Sequence, residues 1–333
     1  MHVVVLYNRV SLNDSAGDLD VLKQVVAVEQ SLAAIGHSSE RLACDLNLTE
    51  VRRSLQTKQA DVVFNLVESL GGTDQLMPLA TVLLESIGLP FTGASTLAML
   101  RTTQKLDAKR HLTMFGLPTP AWMSDRNSGW NGLADPNVTP ESAIVKAVAE
   151  HSSLGITDES VVQCNGLSIA GLAHRIADRT TQLGTPHFAE AYIDGREFNL
   201  SVLANDFGPE VLPPAEIEFT NFPEGKPRIV GHDAKWCEST SEYVNTPRCF
   251  RFPVTDQALI DELESLARRC WEVFGLRGYA RVDFRVDADG QPWILEVNAN
   301  PCLSPDAGFA AAVAEAGLTF DVVLQRILSD ALR

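Results

Sequence analysis

Over the first 95 residues or so, short apolar runs alternate with helical stretches, and this alternation constrains the fold more than any other feature of the chain. "HVVVLY" and "DVVFNL" read as strands and "LPFTG" as a short third one. Between them, "DLDVLKQVVAVEQSLAAIG" sets Leu19, Leu22, Val26, Leu32 and Ile35 along one helical face, with Gly36 as its stop. "DQLMPLATVLLESIG" gives a second helix ending at Gly88. Strands that alternate with helices imply a parallel, doubly wound α/β sheet, so residues 1–94 are expected to form one such domain.

The texture then changes. "STLAMLRTTQKLDAKRHLTMFG" is helical to Gly116, "SDRNSGWNGLADPNVTPE" reads as an exposed loop, "SAIVKAV" as a strand and "EHSSLGITDES" as a small-residue loop. Part of a further helix follows between Gly171 and Thr180. Residues 95–180 are expected to form a small α+β domain. From residue 181 to 333 strands dominate: "HFAEAYI", "REFNLSVLA", "EVLPPAEIEF", "YARVDFRV" and "PWILEVN". The helix "DQALIDELESLARRCWEVFG" interrupts them and "LTFDVVLQRILSDAL" closes the chain. In "RVDADGQPW" the Asp-Gly pair supplies the positive φ of a tight hairpin turn, so this third domain should carry a mainly antiparallel sheet.

Acidic residues outnumber basic ones 43 to 27, a net charge of -16 that repels phosphate backbones and argues against nucleic-acid binding over a broad surface. No apolar run approaches the ~20 residues of a membrane helix. "MHVVVLYN" enters the first strand without a charged leader, and the six cysteines are scattered with no CxxC pair. A cytoplasmic protein with reduced thiols is the expectation. Histidines are sparse and unclustered, which gives a zinc site little support.

The chemistry gathers at the end of the last two strands. Side chains two apart on a strand share a face, so Glu296 and Asn298 point one way, as do Arg281 and Asp283 on the hairpin partner. Together Asp283, Glu296 and Asn298 offer oxygen donors suited to magnesium bound beside substrate phosphates. The competing reading is a half-exposed antiparallel sheet with ordinary polar residues on its wet face. Three lysines weigh against it. Lys105 opens a helix in "TTQKLDAKR", Lys146 sits inside the apolar strand "SAIVKAV", and Lys235 lies in "HDAKW". An ammonium within an apolar strand needs a partner, and a nucleoside triphosphate would serve all three.

The chain resembles the ATP-grasp carboxylate–amine ligases, and within them the D-alanine–D-alanine ligase family, over nearly its whole length. The resemblance is carried by "FNLVESLGGTDQLMPLATVLLESIGLPFTGAS", "TTQKLDAKRHLTMFGLPTP", "AIVKAVAEHSSLGI", "FAEAYIDGREFNLSVL", "HDAKW" and "GYARVDFRVDADGQPWILEVNANP". It implies an ATP-grasp fold with the three domains above. It also implies an acyl-phosphate route: the γ-phosphoryl group of ATP activates a carboxylate, and an amine then displaces phosphate. Lys105 and Lys146 would contact ATP phosphates, Lys235 the γ-phosphate, and the loop "EHSSLGI", with Ser153, would close over the triphosphate. Glu190 would face the adenine, backbone near Tyr192 and Ile193 would read its edge, and Glu197 would hold the ribose hydroxyls. Asp283, Glu296 and Asn298 would bind two magnesium ions, with manganese as a substitute, and Arg281 would stabilise the transferring group and the tetrahedral intermediate. Family members are often homodimers through the first domain, so a homodimer is expected by resemblance alone.

The substrate side departs from the family. "LYNRVSLNDSAGDLD" carries no clear counterpart of the family's ammonium-binding glutamate, and "NLVESLGGTD" replaces a histidine–glycine-rich loop, which places Glu68 near the first substrate. Cys302 and Ala307 align where the family has a glycine and a serine, with Ser304 and Asp306 close by. These changes leave the ATP chemistry untouched and suggest amino-acid or dipeptide substrates other than D-alanine, with Glu68 holding an ammonium. Cys302 reads either as a reactive thiol beside the metals or as a small loop filler. An authentic D-alanine–D-alanine ligase is the alternative within the family. A phosphotransferase on the same scaffold and a non-catalytic nucleotide-binding protein are the alternatives outside it.

Overall fold

The computed structural model describes every residue except 12, 127, 128, 134, 136, 137, 151, 152, 154 and 238. The first sheet is parallel and three-stranded, ordered Ser38–Cys44, His2–Asn8, Val62–Leu66. Val3 and Val5 pack towards helix Val21–Ala34, while Val4 and Leu6 pack towards helices Leu48–Lys58 and Pro78–Ile87. A strand buried on both faces reads as an unbroken apolar run, as "HVVVLY" does. The first helix is turned from the expected face. Val21, Val25, Val28 and Leu32 are buried, whereas Leu22 and Val26 are 37% and 40% exposed. The segment "LPFTG" contributes one bridge, Val63 to Phe91, instead of a full strand.

The central sheet is antiparallel, ordered Trp122–Ser124, His187–Ala191, Ser142–Ala147, Val161–Gln163, with helix Ile169–Leu183 laying Leu172 and Ile176 on it. Strand His187–Ala191 lies past residue 180 and completes this sheet. Two helices, Thr96–Thr103 and Lys105–Met114, replace the single one expected; the chain breaks at Gln104, whose backbone is extended. Lys105 therefore opens a helix of its own, and its N–H donates to the Val148 carbonyl just beyond the strand that carries Lys146.

The third sheet is antiparallel. Its main path runs Arg248–Cys249, Ala215–Ile217, Arg196–Leu203, Tyr279–Val286, Pro292–Asn298, and Glu210–Val211 also pairs with Arg196–Leu203. The prolines of "VLPPAE" split the expected long strand into two short ones, since proline has no N–H for a ladder. The Asp-Gly turn is present, with Gly290 at φ +81°. Helix Gln257–Phe274 covers one face, where Leu263, Ala267 and Cys270 meet Phe198, Leu200, Val282 and Phe284. Alternation then sends Arg281 and Asp283 to the opposite face. The last helix, Phe320–Ala331, returns to the first sheet's core, joining Val25, Val28 and Leu32 through Val323, Leu324 and Ile327.

Candidate active site

A cleft of about 1100 Å³ lies where the three sheets converge. The last hairpin forms one wall. Its register sets Asp283 opposite Glu296 and Arg281 opposite Asn298, and a bulge follows at Asp283/Phe284. The four side chains named from the sequence thus come together on one face. Arg281 donates from Nε and Nη2 to the two oxygens of Asp283, both at 2.8 Å, and its Nη2 lies 3.9 Å from Glu296. Burial works against the Arg281 charge, but Asp283 and Glu296 outweigh it and hold the guanidinium firmly protonated. Asp283 is raised by burial and by Glu296, with Arg281 and Lys235 pulling the other way. An all-oxygen donor set with two mutually repelling carboxylates suits a hard dication, which would relieve that repulsion.

The lysines approach from the facing walls. Lys105 Nζ lies 3.4 Å from Glu296 and donates to the Glu150 carbonyl. Lys146 donates to Glu190 at 2.5 Å. Lys235, on the short helix His232–Trp236, lines the cleft near enough to Asp283 to favour its charged form. Ser153 also lines it, held at φ +61°. The rest of the expected loop over the triphosphate falls on 151, 152 and 154, outside the described residues.

Glu190 lies among cations. It is 1% exposed, and its oxygens are taken by Lys146 and by Lys109. It lines the cleft and holds two ammonium groups beside it. Burial alone would raise its pKa, but the two lysines overcome that and lower it. Lys109 is pushed down by burial to about 8 despite Glu190, and donates to Thr119 Oγ1 and the Pro120 carbonyl. Tyr192 and Ile193 line the cleft beside it, with Tyr192 Oη bonded to the backbone of Arg228. Glu197 also lines the cleft, 2.7 Å from Arg285. The turn between them needs Gly195, because a Cβ there would lie 1.9 Å from the Val286 carbonyl oxygen.

On the substrate side, Glu68 lines the cleft and accepts from Gln24 at 3.1 Å. Burial, with Asp20, Asp74 and Asp18 nearby, raises it to about 8. Asp20, from the N-terminal segment, reaches the loop that follows the last strand. It accepts from Cys302 Sγ at 3.1 Å and from Ser304 Oγ, and Lys23 bridges it to Asp306 at 3.2 and 3.1 Å. Ser304 is 1% exposed, and its hydroxyl donates to Asp20. Cys302 and Asp306 do line the cleft. The Cys302 thiol is pushed well up by burial, then by Glu68 and Asp20, which suits a filler rather than a nucleophile.

Four contributors escaped the sequence reading. Lys109 follows Lys105 by one helical turn, and Arg285 extends the run of polar residues beyond Arg281 and Asp283, so both had a signal. Asn199, which donates to Asp283 at 2.8 Å, had the same period-two signal within "REFNLSVL". Asp20 had none, because its partners Cys302 and Ser304 lie far away in the chain.

Similarity to known proteins agrees with this geometry. A family model described as D-ala D-ala ligase C-terminus matches residues 112–329. A D-alanine–D-alanine ligase of Moorella thermoacetica is 31% identical over 93% of this chain and 94% of its own length. The chain belongs to the D-alanine–D-alanine ligase family. It is an ATP-dependent enzyme forming C–N bonds between a carboxylate and an amine, with the ATP-grasp fold. A second ligase relative, from Chromohalobacter salexigens, is 33% identical over 82% of this chain and 78% of its own. A ligase structure from Bacillus anthracis, solved with ATP, superposes with a TM-score of 0.72 at 19% identity, covering 100% of this chain and 98% of that one. One from Coxiella burnetii gives 0.71 at 18%, covering 100% and 94%.

Proposed function

We propose that this enzyme joins two molecules of D-alanine. In this reading the carboxylate of the first attacks the γ-phosphorus of ATP, and ADP leaves. The amine of the second then attacks the acyl phosphate, and phosphate leaves to give the dipeptide. Lys105, Lys146 and Lys235 hold the phosphates, while Arg281, locked by Asp283, meets the charge that develops on the transferring group and on the tetrahedral oxyanion. Asp283, Glu296 and Asn298 would hold magnesium ions, which neutralise phosphoryl charge when bound. Glu68 would receive the first ammonium, which favours loss of its raised proton. Exclusion of water from the closed cleft would limit hydrolysis of the acyl phosphate.

The observation that carries the reading is a carboxylate pair facing three lysines across one cleft. Six free cysteines, three of them buried, support a reducing cytoplasm. No single helix among the described residues is long and apolar enough to cross a membrane. The test is turnover with ATP and D-alanine alone, with products read by mass spectrometry. One ADP, one phosphate and one D-alanyl-D-alanine per cycle are expected. A phosphorylated amino acid as the end product would instead make the enzyme a phosphotransferase, and turnover only with other amino acids would remove D-alanine.

A further inference from the structure

We propose that His232, Asp233 and Cys237 form a binding site for one dication of the zinc class, on the turn that carries Lys235. The proposal goes beyond the ligase reading, which gives only Lys235 a role on this turn. The three donors lie within six residues, in "HDAKWC". Asp233 and Cys237 are four apart and meet on one face of the short helix His232–Trp236 and its C-cap. Asp233 Oδ1 lies 3.5 Å from His232 Nδ1 and 3.6 Å from Cys237 Sγ. The third pair, also within 4.8 Å, closes the triangle. Zinc bonds of about 2.0 to 2.3 Å in a tetrahedron set neighbouring donors about 3.3 to 3.8 Å apart, so both edges through Asp233 have the span the ion needs. Among the described residues no other three His, Cys, Asp or Glu side chains gather this tightly.

Imidazole nitrogen, thiolate sulfur and carboxylate oxygen make a mixed set that a borderline-soft ion prefers. Magnesium and manganese prefer oxygen, which the last hairpin offers, so the two places sort ions by donor type. The turn is also held in place. Thr240 Oγ1 is shared between the carbonyls of Asp233 and Cys237, at 3.2 and 2.7 Å, and the Cys237 N–H donates to the Asp233 carbonyl at 3.2 Å. Just before the helix, a Cβ on Gly231 would lie 2.7 Å from the Ile156 carbonyl oxygen, and at its end the Trp236 ring lies 3.4 Å from where a Gly17 Cβ would sit. The donors' backbone is thus fixed before an ion arrives, which lowers the ordering cost of binding. Solvent reaches the site, since the His232 and Asp233 side chains are 32% and 63% exposed, so water is at hand as a fourth ligand. The thiol proton passes to solvent as the ion binds. Ala234, Lys235 and Trp236 line the cleft, so a bound ion braces from outside the turn that presents Lys235.

The probe is cobalt(II), whose bond to a thiolate gives a near-ultraviolet charge-transfer band that oxygen donors do not. The whole chain, freed of metal and kept reduced with a phosphine, is titrated with cobalt(II) under excess magnesium. The band is expected to saturate at a single cobalt per chain, and zinc to bleach it, since zinc binds such donors more tightly. Cys237→Ser should abolish the band. His232→Ala and Asp233→Asn should each weaken cobalt binding by about 10-fold or more, with circular dichroism unchanged, since losing even a ligand's orienting partner costs that much. No band in the wild type overturns the proposal, and so does a band that survives Cys237→Ser, which would put the ion at another of the six thiols. Unchanged affinity in both His232→Ala and Asp233→Asn would reduce the site to one thiol and overturn it as well. The titration needs neither ATP nor an amino acid, so its failure and failure of the ligase reading are separate results.

Discussion

The half of the cleft proposed to face phosphates and the half proposed to face amino acids are built in different ways. On the phosphate side, charged residues sit at regular positions of strands and helices: Arg281, Asp283, Glu296 and Asn298 alternate on one hairpin, and Lys146 alternates within an apolar strand. Their neighbours in the ladder fix them. On the amino-acid side, the N-terminal segment and the loop after the last strand meet through Asp20, which binds Cys302, Ser304 and Lys23 at once. On the proposed reading, chemistry common to many substrates rests on periodic elements, and selection among substrates rests on loops that can change one residue at a time.

The comparison breaks most visibly at Arg281. Arg281→Ala should lower turnover about 10³-fold while ATP binding, measured by calorimetry, persists. A comparable loss of ATP affinity would mean that the residue serves binding and not the reacting group. Next comes Glu190→Ala, which strands the ammonium groups of Lys109 and Lys146 in a buried setting. It should cost about 3 to 4 kcal/mol of stability by denaturant unfolding.

On the other half, Asp20→Ala removes the acceptor of the Ser304 and Cys302 donors. We expect about 2 kcal/mol of destabilisation and a raised KM for the amino acid, with KM for ATP held. Equal movement of both KM values would erase the distinction between the halves.

The smallest effect is a pH dependence at Glu68. Its folded pKa, about 8, lies above its ordinary value of 4.5, so the folded protein holds the proton more tightly than the unfolded chain. The stability tied to that proton is complete below about pH 4.5 and is lost as pH rises through about 8. Glu68→Gln should therefore gain on the wild type across this window and level off above it, by roughly 1 to 2 kcal/mol once screening by cleft water is allowed for. A flat difference from pH 5 to 9 would contradict the burial argument.

The same division governs what could be read from the sequence. Period two exposed the Arg281 and Asp283 pair and the lysine at 146, and Asp-Gly fixed the hairpin that aligns Glu296 and Asn298 with them. Periodicity was weaker for the first helix, where an almost continuous apolar sequence let Leu22 and Val26 pass for core although Val21 and Val25 are buried. Strand Ser38–Cys44 and helix Leu48–Lys58 were not legible: the first is a half-exposed edge and the second buries only Val51 and Leu55. Glu190 was placed correctly on its strand, but its partner Lys109 comes from a helix. Pairing between elements leaves no local pattern, so the bond from Ser304 to Asp20 could not be read from the sequence.

The central claim is that one face of the last hairpin holds a dication against the outer phosphates of ATP. Crystals grown with manganese and a non-hydrolysable ATP analogue test it directly through the anomalous signal of the metal. The account predicts peaks ligated by Asp283, Glu296 and Asn298 and by oxygens of the β- and γ-phosphates. Manganese bound elsewhere, or a triphosphate lying away from this face, would contradict it.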